Sequence, residues 1–258
     1  MAGVNGRVAI VTGAGNPQGI GYGIAKALRE AGASVVLGAT TARIHERCAE
    51  LGGGGNLAGF VGDLTDRTTA AGLIQFALER FGRVDILVNN AGMQQTGVET
   101  SWPAVDSISD DAWSRALRVS LDTCFFVTRA AIPAMKKNRH GRIINMSSVS
   151  GPVVTFSGGG AYGAAKAAMI GYTRSLALEL GSDGIIANAI APGWINNGGN
   201  SDQLMIGGDN TPIGRPGRPE EVGSLAVYLA SDECSYLTGQ MIVIDGGNTI
   251  QEYKGPPL

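Results

Sequence analysis

The sequence predicts an α/β fold: a single-domain, doubly wound parallel sheet of about seven strands with helices on both faces. Three observations carry that expectation. Short β-branched runs alternate with longer segments of helical period along the whole chain. The runs are continuously apolar, not alternating, which is the pattern of strands covered on both faces. Hydrophobic residues make up 44% of the chain against 16% charged, enough for a sizeable core and too apolar for intrinsic disorder.

Val8-Ala9-Ile10-Val11 is the first run, closed by Thr12-Gly13. Ile20, Ile24, Ala27, Leu28 and Ala31 then fall at helical offsets, and Gly32 stops that helix. Ser34 to Leu37 and Leu57 to Val61 are the second and third strands, with a helix expected at about 68–81. Asp85 to Val88 is the fourth, followed by a long helix at about 110–136. Arg142 to Met146 is the fifth, with its helix at about 162–180; Ile185 to Ala191 is the sixth. A last helix at about 219–230 precedes Met241 to Ile244. The Gly/Asn-rich stretch at about 196–218 has no period and is read as a substrate loop, the usual role of an aperiodic segment of that length. Ligands of such sheets bind outside the carboxyl ends of the strands, so chemistry is sought just after each run.

Composition narrows the function classes. The formal charge of −2 over 258 residues is too balanced to grip nucleic acid or an anionic membrane. Cys48, Cys124 and Cys234 form no CxxC pair, and His45 and His140 are far apart, so neither a disulfide framework nor a metal site is expected. No stretch approaches the roughly 18 apolar residues of a membrane span, and the opening residues do not read as a secretion signal. The reading is a cytoplasmic protein. Glycine is the outlier at 40 residues, about twice the usual share, and it clusters after the apolar runs.

Two motifs carry the chemistry. Thr12-Gly13-Ala14-Gly15-Asn16-Pro17-Gln18-Gly19-Ile20-Gly21 joins the first strand to the first helix. Glycines there let backbone approach a pyrophosphate, and the helix behind directs free N–H groups at the anion. Tyr162-Gly163-Ala164-Ala165-Lys166 opens a helix, and its i to i+4 spacing puts phenol and ammonium on one face. A nearby ammonium favours phenolate and lowers a Tyr pKa toward the working pH, which suits proton exchange with an alcohol or alkoxide.

With Asn89-Asn90-Ala91-Gly92, Ser147-Ser148-Val149-Ser150-Gly151 and Pro192-Gly193-Trp194-Ile195, these motifs resemble the short-chain dehydrogenase/reductase superfamily from Arg7 to Gly247. The resemblance implies a Rossmann-like fold and hydride transfer between nicotinamide and a ketone or secondary alcohol. Ser148 would hold the substrate oxygen, with Ser147 and Ser150 as competitors for that role, Tyr162 would handle the proton, and Lys166 would tune Tyr162 and hold the nicotinamide ribose. Asp63 and Leu64 would meet the adenine, Asn90, Ala91 and Gly92 pass beside the cofactor, and Pro192, Gly193, Ile195 and Asn197 flank its nicotinamide end. Gly13, Asn16, Gln18, Gly19, Ile20 and Gly21 complete the cofactor set. Family members are usually tetramers that pair the two long helices and the last strand, so a homotetramer is expected.

Three departures from the family pattern matter. The turn reads TGxxxxxGxG, two residues longer than usual, and looks like that of enoyl reductases. That branch, however, places six residues between Tyr and Lys, and its tyrosine position is Gly159 here, so the catalytic pair favours carbonyl chemistry. Ser120 stands where many members carry an Asn that holds a water in a proton relay to the lysine; serine has a shorter reach and one donor. After the second strand no acid appears between Val35 and His45, while Thr40, Thr41 and Arg43 can meet a 2′-phosphate, so NADP is favoured, with NAD the alternative.

The substrate is weakly encoded. Met93, Val154, Phe156, Trp194, Leu204 and Met205 offer apolar walls, with no Lys or Arg in 93–100, 153–160 or 196–212, so an apolar or weakly polar ketone suits better than a polyanion. A 3-oxoacyl thioester reductase and a broad-range ketone or diol dehydrogenase both fit. The rival from another class is a dinucleotide-binding sensor without catalysis.

Overall fold

The computed structural model describes residues 3–92, 102–198 and 202–252. Seven strands run parallel: β1 (Val8–Thr12), β2 (Ser34–Ala39), β3 (Leu57–Val61), β4 (Ile86–Asn89), β5 (Gly141–Met146), β6 (Ile185–Pro192) and β7 (Met241–Ile244). They pair in the order β3-β2-β1-β4-β5-β6-β7. The order reverses between β1 and β4, and at that switch point the crossing chains part and leave a crevice above the strand ends.

Successive residues feed opposite cores, as strand geometry dictates. Ala9 and Val11 of β1, Val35 and Leu37 of β2, and Ile144 and Met146 of β5 join one cluster. Ile10, Val36 and Ile143 join the other. The first core is closed by helices α1 (Ile20–Glu30), α2 (Ile44–Glu50) and α8 (Pro219–Ala230), which contribute Ile24, Leu28, Ile44, Val222 and Leu229. The second is closed by α3 (Arg67–Phe81), α5 (Thr123–Asn138) and α6 (Gly160–Leu180), through Leu73, Val127, Met135 and Leu176.

Local signals set the helix ends. Asp66 caps α3 by accepting from the Thr69 N–H at 2.7 Å, and Gly82 ends it in the left-handed region. Pro219 opens α8, where the Glu221 carboxylate reaches back to the Arg218 N–H at 2.8 Å.

Two helical expectations change. The expected helix at 110–136 is α4 (Asp110–Leu117), a π turn over Arg118–Asp122, then α5. The carbonyl of Arg118 accepts from both the Thr123 N–H and, at 3.2 Å, the Thr123 hydroxyl, which accommodates one extra residue that hydrophobic period does not register. The stretch expected to be a loop at 196–218 contains α7 (Asp202–Asp209), whose Gly207 and Gly208 weaken its helical signal. The short α2 also went unforeseen, since seven residues give too little period to read.

Candidate active site

The glycine turn is held from below by the end of β4. The Asn90 side-chain amide donates to the carbonyls of Thr12 (2.9 Å) and Gly13 (3.0 Å). The N–H groups of Asn90 and Ala91 reach the Thr12 hydroxyl at 3.0 and 2.9 Å. Glycine is required here: Gly13 has φ +69°, and a Cβ on it would lie 2.8 Å from Ala91 Cα. A Cβ on Gly21 would lie 2.6 Å from the Gly13 carbonyl oxygen.

The two extra residues of the turn have a structural use. Asn16 Oδ1 accepts from the Gln18 N–H at 3.1 Å, and its Nδ2 donates to the Asn197 carbonyl at 2.9 Å, so the turn reaches the segment that follows β6. Gln18 packs against Gly198 in the same contact.

A cavity of about 550 Å³ begins at this turn and crosses the switch point. Gly13, Asn16, Gly19, Ile20 and Gly21 line one part, Thr40, Thr41, Arg43, Asp63 and Leu64 another, and Asn90, Ala91, Gly92, Tyr162, Lys166, Pro192 and Asn197 the rest. Most of the expected cofactor set is therefore brought together. Three members are not in the lining. Gln18 is turned to Gly198; Gly193 is packed on Asp245, its N–H donating to the Ile244 carbonyl at 3.0 Å; and Ile195 is buried and pairs with Gly217. Asp63 Oδ1 accepts from the Thr65 N–H and hydroxyl at 3.0 and 2.8 Å, which makes it a turn aspartate as well as a wall.

The cavity fits a dinucleotide in kind. Gly19, which offers no side-chain cap, precedes the first turn of α1 and leaves its N–H groups facing the glycine turn. Side-chain-free backbone at Gly13 and Gly21 leaves room at that end.

At the other end three side chains converge. The Ser148 hydroxyl, just past β5, accepts from the Ser150 N–H at 3.1 Å and lies next to the Tyr162 phenol, whose pKa it lowers, although Ser148 is not itself in the cavity lining. Ser147 points elsewhere, its hydroxyl donating to the Lys166 carbonyl at 2.8 Å, so it ties β5 to α6. Lys166 is buried; its Nζ donates to the Met146 carbonyl at 2.7 Å and lies 5.7 Å from the centre of the Tyr162 ring. Burial pulls the ammonium down to about 8.

The expected tuning of the phenol by Lys166 is corrected by this geometry. Burial is the largest influence on Tyr162 and raises its pKa; the Ser148 hydrogen bond is what lowers it. The ammonium is turned to the Met146 carbonyl and the ring, not to the hydroxyl.

Ser120 is buried inside the π turn and does not line the cavity, although its neighbours Val119 and Thr123 do. It meets Lys166 at Gly92: a Cβ placed there would sit 3.3 Å from Ser120 Oγ and 3.5 Å from Lys166 Nζ.

Of the expected substrate walls, Val154, Phe156, Trp194, Leu204 and Met205 lie outside the cavity lining. Met93 lies outside the described residues. Trp194 packs where a Cβ on Gly207 would be, alongside the helix that carries Leu204 and Met205, and Val154 pairs with Ser150. Phe156 comes near Tyr162 through Trp102, whose ring lies 5.1 Å from Phe156 and 5.7 Å from Tyr162. Trp102 was not singled out in the sequence; a lone Trp in a polar stretch before Pro103 was the available signal.

A buried polar layer beneath the site was also missed. Asn89 donates to Asn145 (2.9 Å) and Thr128 (2.8 Å), and Asn145 donates to Thr173 (2.9 Å). It bonds β4, β5, α5 and α6 together under Lys166. The signal was an Asn in each of two apolar strands, and these two asparagines face each other in register. Cys124 donates to Asn145 in the same layer, and burial pushes its thiol up to about 12, which leaves it unreactive.

Among the described residues no His, Cys, Asp or Glu cluster could hold a metal ion, and no helix is long and apolar enough to cross a membrane.

Comparison with known proteins gives a consistent set. Residues 13–249 match the family described as enoyl-(acyl carrier protein) reductase. Oxidoreductase UcpA of Escherichia coli (strain K12) is 38% identical over 98% of both chains. The 3-oxoacyl-[acyl-carrier-protein] reductase FabG of Vibrio harveyi is 36% identical over 95% of this chain and 98% of its own. A Serratia marcescens short-chain dehydrogenase/reductase mutant of solved structure has a TM-score of 0.85 and 30% identity, covering 95% of this chain and 99% of that one.

Proposed function

The chain belongs to the short-chain dehydrogenase/reductase superfamily, as a member similar to 3-oxoacyl-[acyl-carrier-protein] reductases, and from that premise we propose that it interconverts ketones and secondary alcohols with NADP(H). Membership makes it an NAD(P)-dependent dehydrogenase/reductase of CH–OH/C=O groups. The observation that carries the finer reading is that Tyr162 and Lys166 line one end of a cavity whose other end is the glycine turn, with Ser148 next to the phenol and lowering its pKa.

The nicotinamide, when bound, supplies or accepts the hydride. The glycine turn and the first turn of α1 hold the diphosphate, Asp63 and Leu64 flank the adenine, and Thr40, Thr41 and Arg43 take the 2′-phosphate. Pro192 and Asn197 form the nicotinamide side, with Gly193 and Ile195 packed behind them. Lys166 holds the ribose and keeps a positive charge near the reacting oxygen below about pH 8.

Tyr162 donates its proton to the carbonyl oxygen in reduction and takes it back in oxidation. Ser148 donates a hydrogen bond to that oxygen as charge builds on it. Between turnovers Tyr162 recovers its proton past Lys166 and Ser120. Three residues separate Tyr162 from Lys166, so the reacting double bond is carbon–oxygen, although the matched family is described as an enoyl reductase.

The apolar exposure of Phe125 and Leu178, on α5 and α6, supports a homotetramer that covers those helices.

The test follows the absorbance of reduced nicotinamide with NADPH and NADH against a panel of ketones and 3-oxo thioesters. Turnover with NADPH favoured, lost by about a thousandfold in Tyr162→Phe, is the expected result. Tight cofactor binding without turnover on any ketone would point to the sensor and overturn the proposal.

A further inference from the structure

Beside the phenol stands a pair of rings that the core does not need. Trp102 lies 5.1 Å from Phe156 with the planes at 80°, and 5.7 Å from Tyr162 at 81°. Trp102 and Phe156 are each 42% exposed. Solvent-facing aromatics that touch one another are a sign of recognition, whereas scattered ones are not.

The chain holds this pair in place deliberately. Gly158 has φ +85°, and a Cβ on it would lie 2.2 Å from the Trp102 carbonyl oxygen. A Cβ on Gly159 would lie 2.9 Å from the Phe156 ring. The glycines just before Tyr162 thus let both aromatic residues close onto the start of α6.

We propose that Trp102 and Phe156 form the wall that receives the substrate, and that the preferred ketones carry an aromatic ring attached directly to the carbonyl carbon. This rests on Tyr162 being the proton donor. Rings at right angles present an edge beside a face, so a third ring docks in a tilted or offset contact that a saturated chain cannot reproduce. Trp102 meets the Tyr162 ring directly, edge to face at 5.7 Å, so the exposed part of Trp102 and its neighbour Phe156 border the phenol and lie within reach of a group bonded to the carbonyl whose oxygen meets it. A carboxylate or phosphate in that position would lose its hydration against apolar rings.

The test compares acetophenone with cyclohexyl methyl ketone, which match in shape class and differ in aromaticity. Turnover is measured with NADPH, and binding by ligand-observed NMR with NADP+, a pairing that cannot turn over. Acetophenone is expected to be favoured in both. Trp102→Leu and Phe156→Leu should each lower that preference by about tenfold, through KM more than kcat, and Trp102→Phe should keep most of it. Equal binding of the two ketones by the unaltered protein overturns the proposal, as does a preference that survives both leucine variants. A binding preference without turnover supports the aromatic wall and sinks the carbonyl reductase reading instead, so the two failures are distinct.

Discussion

The Ser148 hydroxyl stands next to the Tyr162 phenol across the gap between the end of β5 and the start of α6, where hydrogen bonding between them lowers the phenol's pKa. That bond is the one influence that lowers the phenol, against burial that raises it. Ser148→Ala is therefore expected to act twice. It should cost about a hundredfold or more in kcat by removing a donor to the developing alkoxide. It should also shift the acidic limb of alcohol oxidation, where the phenol becomes protonated, to higher pH. A pH profile of kcat/KM for both proteins checks this; an unshifted limb would contradict it.

Lys166 provides a prediction for stability as well as for rate. Its folded pKa, about 8, lies below its ordinary 10.5, so between those values the unfolded chain binds more protons. Stability contributed by this group therefore rises as pH rises from about 8 to 10.5 and is lowest at neutral pH, where the buried charge is present. Lys166→Met should abolish turnover yet raise the neutral Tm by a few degrees, about 2–4 °C for each kcal/mol. The gain over the unaltered protein should shrink across that window in thermal melts.

Ser120 meets Lys166 at Gly92 but has a short side chain. Ser120→Asn is expected to keep activity and to change the pH dependence of kcat by restoring a longer donor to the relay. Identical turnover and pH profile in the two proteins would remove the relay role.

Arg43, with Thr40 and Thr41, lines the end of the cavity assigned to the 2′-phosphate. Arg43→Ala should raise KM for NADPH by about tenfold, the worth of one charge-assisted contact, and leave KM for NADH near its starting value. Equal changes for both cofactors would mean that Arg43 serves the fold and not the phosphate. An NADH preference in the unaltered protein would reverse the cofactor assignment.

His140, at the opposite end of the sheet, contributes to the acid response. Burial first, then Arg142 and Arg7, pull it down to about 4 from 6.5. The unfolded chain takes up this proton first, so stability is whole above about pH 6.5 and is lost as pH falls toward 4. Its Nε2 is buried without a partner. His140→Gln should flatten that acid loss by about 1 kcal/mol, allowing for partial solvent screening, as measured by denaturant unfolding across that pH range.

Much of this was legible in the sequence because burial on both faces leaves a continuous apolar mark. Leu57–Val61 and Met241–Ile244 are strands with the expected bounds, and the glycine turn, Tyr162 and Lys166 stand together in one cavity wall. What stayed hidden depends on partners far along the chain. The π turn around Ser120 is one residue of extra winding, which period cannot show. Asn89 and Asn145 make sense only once β4 and β5 lie side by side. Trp102 acquires meaning only beside Phe156 and Tyr162, which follow it by 54 and 60 residues. The direction of the Lys166 ammonium depends on the Met146 carbonyl, and no spacing rule reports a backbone acceptor.

The contact from Asn16 to the Asn197 carbonyl joins two lining residues across the crevice. A single neutral bond of that kind is worth about 0.5–1.5 kcal/mol net, so it spends a noticeable share of its time undone. The lengthened turn therefore adds a weak cross-tie between the two sides of the crevice, one that steadies the rim without welding it.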